Sequence, residues 1–132
     1  MKGRKLVAVG LLIAFAFAAG VTALAGSNLE RALKEAQKVV DKANAEIAKA
    51  VYKAQKEAEG KDSASVDKII ANLLKQVDSI KSQAVAAIKE IEKKYNVWIK
   101  LGFTDWWVNI GGKLVNVDPI TIAGSGCGAD GC

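Results

Sequence analysis

Histidine is absent from all 132 residues. Without an imidazole, histidine acid–base catalysis, Ser-His-Asp and Cys-His nucleophiles and histidine metal sites are excluded. Cysteine occurs only at Cys127 and Cys132. Two thiolates without a third ligand make a poor zinc site. In an exported chain the pair is expected to form a disulfide. Four small residues between them allow a terminal ring worth roughly 2 kcal/mol, which restrains the tail and encloses no core element. An interchain bridge and a free pair are the alternatives. No glycine-rich phosphate loop precedes a helix, and no carboxylate pair has an evident cleft, so no enzyme, cofactor or metal is expected.

Acidic residues are missing from the first 29 positions, and residues 6–29 carry no charge at all. Lys2, Arg4 and Lys5 precede an apolar run over residues 6–19, and Ala23-Leu24-Ala25 fits a signal-peptidase site. The chain is therefore expected to be exported, with residues 1–25 as its signal peptide. The same segment is about the ~20 residues that span a bilayer, so an uncleaved anchor is the other outcome. Either way the three basic residues stay cytoplasmic. Removing residues 1–25 leaves 16 basic against 14 acidic residues, a net charge of +2 instead of +5. Most of the basic balance is thus an export signal.

Ser27 and Glu30 form a capping-box pattern that starts a helix. Leu29, Leu33, Ala36, Val40, Ala43, Ile47, Ala50 and Ala54 then follow an unbroken 4-3 alternation, the spacing of a helix–helix seam, up to a stop at Gly60. A second helix, capped by Ser63 or Ser65, reads from about 64 to 95 with its seam on Val66, Ile70, Leu73, Val77, Ile80, Ala84, Ala87 and Ile91. Two equal amphipathic helices with a short connection predict an antiparallel hairpin over residues 26–95.

From Asn96 the apolar period changes to two. Val97, Ile99, Leu101 and Phe103, then Trp106, Val108 and Ile110, then Lys113, Val115 and Val117 line one face if Thr104-Asp105 and Gly111-Gly112 are turns. The expected fold class is α+β: a long two-helix hairpin, then a three-stranded antiparallel meander over 96–123 packed on the second helix near the open end. The only proline, Pro119, should end or kink the third strand, with a short edge strand at 120–122. Residues 124–132 read as a flexible tail, too glycine-rich to pack.

Trp98, Trp107 and Leu114 fall on the opposite sheet face, with Lys100, Asn109 and Asn116 between them. Flat aromatics among amides could hold a sugar, a lipid headgroup or a protein. The competing structural reading has Trp107 cover Gly102 while the chain after Pro119 folds over Trp98. Lys42, Lys49 and Lys56 align on one helical face, where a solvated surface is expected and no nucleic acid. Because six-residue strands cover less than half of the hairpin, Ile69 and Leu74 are expected to stay uncovered and to drive self-association, with Ile88 masked by the sheet. These features together suggest an exported, non-enzymatic structural or interaction protein of the envelope, a filament or a virion, with self-association and membrane or envelope contact as its partners. The alternatives are a secreted membrane-active protein (bacteriocin or pore former) and an extracytoplasmic holdase.

Overall fold

The computed structural model describes residues 27–129 and 131. Helix α1 spans Ser27–Ala58 and α2 spans Ser63–Tyr95. They pack side by side as the hairpin expected from their seams, with Leu33, Ala36, Ile47, Leu73 and Val77 all buried. Gly60, at φ 71°, takes the left-handed conformation that ends α1. The cap of α2 is neither serine of the sequence reading but Asp62, whose carboxylate accepts from the Ser65 backbone N–H at 2.8 Å. Asp62 keeps extended φ and ψ while its short side chain reaches an otherwise unpaired first-turn amide. Asn96, at φ 55°, caps the other end with its N–H on the Glu92 carbonyl.

The β region departs from the expected meander. Four strands follow α2: β1 Val97–Phe103, β2 Trp107–Ile110, β3 Lys113–Asn116 and β4 Ile120–Cys127. They pair antiparallel as β1 with β4 and β2 with β3, and β1 does not pair with β2. Ile99 and Leu101 therefore face Ser125 and Ile122, while Ile110 and Val108 do face Lys113 and Val115 as expected. Thr104-Asp105 is a bend, not a hairpin turn. Across it the Thr104 N–H donates to the Pro119 carbonyl at 3.0 Å and the Val117 N–H to the Trp106 carbonyl at 3.1 Å. The two ladders thus join into one long ribbon that reverses only at Gly111-Gly112.

At the bend the ribbon rolls over by half a turn. On its first leg the buried side chains are Val97 and Ile99, and on the second half of that leg they are Val108 and Ile110, an exchange of odd for even positions. The returning leg changes parity in the same place, between Val117 and Ile120. Contacts with the helices record the roll: β1 meets α2 through the Ile99 N–H on Glu92, whereas β2 meets α1 through Gln55 on the Asn109 carbonyl. On the other leg β3 meets α2 through Lys113 with Asp67 and Ser63, and β4 meets α1 through Asn44. Asn116 splints the bend by accepting from the Trp106 and Asp118 N–H groups and donating to Asp105. Asp118 sits at φ 46°, a left-handed conformation that a short polar side chain tolerates.

This geometry overturns the expected half coverage. A leg from 97 to 110 reaches about 46 Å at 3.3 Å per residue, close to the ~48 Å of α1 at 1.5 Å per residue. The ribbon consequently seals both core clusters and lies across both helices, not on α2 alone. One cluster joins Leu29, Leu33, Ile88, Ile91, Val97 and Ile120, and the other joins Ile47, Val66, Leu73, Val77, Ile110 and Val117. Ile88 is buried as expected, whereas Ile69 is half-buried against the second cluster, and Leu74 alone of the proposed flank stays exposed, at 38%. The glycine-rich end is also ordered. Gly124 to Cys127 belong to β4, the Gly128 N–H donates to the Asn96 carbonyl at 2.8 Å, and the Gly131 N–H returns to the Gly128 carbonyl.

Both turn glycines have positive φ, 59° at Gly111 and 90° at Gly112, as a two-residue hairpin turn requires. Only Gly111 is also crowded: a Cβ there would stand 2.7 Å from Val66 Cγ2, whereas nothing lies within 4 Å of one at Gly112. Gly111→Ala is expected to cost about 2–3 kcal/mol in denaturant unfolding and Gly112→Ala about 1 kcal/mol. Equal costs would contradict the docking of the ribbon tip onto α2.

At the open end Glu35 of α1 accepts from the Tyr95 hydroxyl and, at 3.3 Å, from the Lys94 ammonium of α2. The Tyr95 hydrogen bond first, and Lys94 after it, hold the Glu35 carboxyl below its usual range, and Glu35 in turn raises Lys94. A depressed carboxylate contributes stability at neutral pH that is lost as the pH falls through its folded value. Stability should therefore decline below about pH 4.5, the ordinary glutamate value. Glu35→Gln should flatten that acid limb of a melting-temperature profile, and an unchanged limb would mean the pair is not formed. The effect should be modest, because the pair is solvent-exposed.

Candidate binding face of the ribbon

The half-turn roll has a consequence for the residues left outside. On β1 the outward positions are Trp98, Lys100 and Gly102, and on the hairpin of β2 and β3 they are Trp107, Asn109, Leu114 and Asn116, all on the side away from the helices. Trp98 is 50% exposed, Trp107 60% and Leu114 69%. Large apolar side chains this open stand out against a buried core that takes nearly every other one. Phe103, expected on the inner face, is also open at 51%, because it lies where the ribbon face rotates outward; Lys81 of α2 sits 4.9 Å from its ring centre. Trp106, expected in the core, is half-buried against the second cluster.

Trp98 and Trp107 differ in what they touch. Trp98 pairs with Gly126, and its indole lies over Gly124 and Gly126, where a Cβ at Gly126 would come within 2.6 Å of Nε1. The structural reading of Trp98 thus holds in part, since β4 does run beneath its ring while half the residue stays open. Trp107 does not cover Gly102; the space above Gly102 is taken by Thr121 and Ala123. Trp107 instead faces Asn116 across the pair, with Leu114 on the diagonal.

The amide oxygens that made this face look like a sugar platform are already engaged. Asn116 holds the bend, and Asn109 Oδ1 accepts from the Gly112 N–H at 2.8 Å inside the turn. What the face offers is mainly apolar contact, with the Lys100 ammonium and the Asn109 amide nitrogen as its outward polar groups. Some groups of the ribbon edges are held by helix side chains: Glu92 takes the Ile99 N–H, Gln55 the Asn109 carbonyl, and Asn44 both polar groups of Ile120 at 2.8 and 2.9 Å. Side chains of the helices thereby occupy backbone groups that would otherwise invite strand addition.

The remaining candidates are more ordinary. Lys42, Lys49 and Lys56 are exposed, and Lys56 rests over the Tyr52 ring. On the helical side away from the ribbon, an open groove of about 330 Å³ is lined by Glu46, Lys49, Lys53, Gln76, Ser79 and Ile80. Among the described residues no group of three or more Cys, Asp or Glu could hold a metal, and no helix is long and apolar enough to cross a membrane. Cys127, exposed at the end of β4, is disulfide-bonded. Its expected partner Cys132 and the signal segment, residues 1–25, lie outside the described residues. Asn44, which sequence reasoning passed over, is the main polar link between the layers; a lone asparagine within an apolar helical stripe is its only sequence signal. Comparison with known proteins finds no family model, no curated protein and no solved structure that matches this chain.

Proposed function

We propose that this chain is an exported, non-enzymatic interaction protein of the cell exterior whose working surface is the outer face of the ribbon. The observation that carries the reading is the outward set Trp98, Trp107 and Leu114, exposed on the side of the ribbon away from the helices. Large exposed apolar side chains that the fold does not need for its own core are the usual mark of a contact site. Assembly through sheet edges, part of the sequence expectation, is impeded where helix side chains hold the edge groups of Ile99, Asn109 and Ile120. Self-association through Ile69 and Leu74 keeps only Leu74 as an exposed contact.

Site-specific photocrosslinking in the producing cell tests this reading. A photoreactive residue at 98, 107 or 114 should give adducts, while one at Lys53 on the far side of the helices should give few. Equal labelling from both sides, or none from the ribbon, would refute it.

A further inference from the structure

We infer that the outer face of the ribbon rests on a lipid bilayer surface; this rests on the reading of that face as the working surface. Three observations support a lipid partner. The first is shape. Trp98 and Trp107 are nine residues apart on one leg, up to about 30 Å, and the half-turn roll aims both away from the helices. Two aromatics that far apart suit a broad, flat partner more than a pocket-filling one.

The second is chemistry. Indole rings, apolar with one polar N–H, favour the headgroup level of a bilayer. Around them the charged groups are Lys100 and Asp105, and Asp105 is held by Asn116. With Asn116 and the Asn109 oxygen turned back onto the chain, the face presents few directional hydrogen bonds, and a fluid lipid surface requires none.

The third is the chain before Ser27. Residues 6–25 are uncharged and of bilayer-spanning length, and only Gly26 separates them from α1. Retained in the membrane, they would hold the domain against the lipid, so that a weak face contact becomes intramolecular. Trp98 stands at the end of the molecule where α1 begins, since Leu29 and Val97 share one core cluster.

Tryptophan quenching in vesicles decides the matter. The full chain is reconstituted in phosphatidylcholine vesicles, with or without bromine on the upper acyl chain. Quenching of the wild-type emission is expected, falling at least twofold in Trp98→Phe/Trp107→Phe, which keeps half-buried Trp106 as its only reporter. Because the contact is nearly uncharged, quenching should survive about 0.5 M salt. Unquenched wild-type emission from a chain that circular dichroism shows to be folded would overturn the lipid assignment. So would quenching as strong in the double variant. If the ribbon positions then photocrosslink to protein, the working surface stands with a protein occupant; if they give no adduct, both readings fall.

Discussion

Ile47→Asp is expected to leave the protein largely unfolded at neutral pH. Ile47 is fully buried on α1, in the cluster where α1, α2 and the ribbon tip meet alongside Val51, Leu73, Val77, Ile110 and Val117. The described charged residues of this region lie outside that cluster, so an aspartate there would have no partner and no route to water. An uncompensated buried charge costs about 3–5 kcal/mol or more, against about 5–15 kcal/mol for the whole stability of a small domain. Ile47→Ala should cost less, about 2–5 kcal/mol, by leaving a cavity without a charge. Circular dichroism melts of the two variants check both magnitude and order. A neutral Ile47→Asp would mean that the helices and the ribbon do not close over this position.

Asn44→Ala is expected to loosen the ribbon while leaving the helical hairpin folded. The Asn44 amide both donates to the Ile120 carbonyl and accepts from its N–H, in a partly buried setting. Its removal leaves two strand groups without partners, each worth about 1–3 kcal/mol when buried, so a loss of about 2–4 kcal/mol is anticipated. Hydrogen exchange localises the effect: protection should fall first at β4 and at its β1 partners such as Leu101, ahead of Val77 in α2. Asn44→Asp separates geometry from size, because it keeps the acceptor, loses the donor and places a carboxylate against a carbonyl. Uniform loss of protection would instead indicate a single cooperative unit with no special role for this clamp.

Much of this architecture is legible in the sequence, and the failures have physical causes. The helices announce themselves through long 4-3 seams, since burial between two rods permits little else. The β2–β3 hairpin is equally plain from Gly111-Gly112 and the alternation on either side. The partner of β1 was lost for two reasons. Thr104-Asp105 resembles a turn, yet the change from odd to even apolar positions across it records a roll of the ribbon, not a reversal. Gly124 and Gly126 resemble a loose tail, yet they alternate at strand spacing because Trp98 occupies the space above them. A central Gly-Gly flanked by legs of nearly equal length, 97–110 and 113–127, is the signal that could have revealed one long hairpin.

The candidate face was legible in outline and misleading in detail. Alternation placed Trp98, Trp107 and Leu114 outward, where they are. It could not show that Asn109 and Asn116 turn back onto the backbone, because an asparagine beside a turn reads alike whether it serves a ligand or its own chain. Phe103 escaped for a related reason, since its parity is that of the core and only the roll exposes it. The full-length coverage of the helices likewise depends on β4, so the expected bare flank at Ile69 and Leu74 followed from the misread tail.

One ribbon, rolled at its middle, covers both helices and turns Trp98 and Trp107 outward. Interstrand nuclear Overhauser contacts measured on the folded protein test that arrangement most directly. The account predicts simultaneous contacts of Leu101 with Ile122 and of Val108 with Val115. Contacts of Leu101 with Val108, and none between β1 and residues 120–127, would restore the three-stranded meander and contradict it.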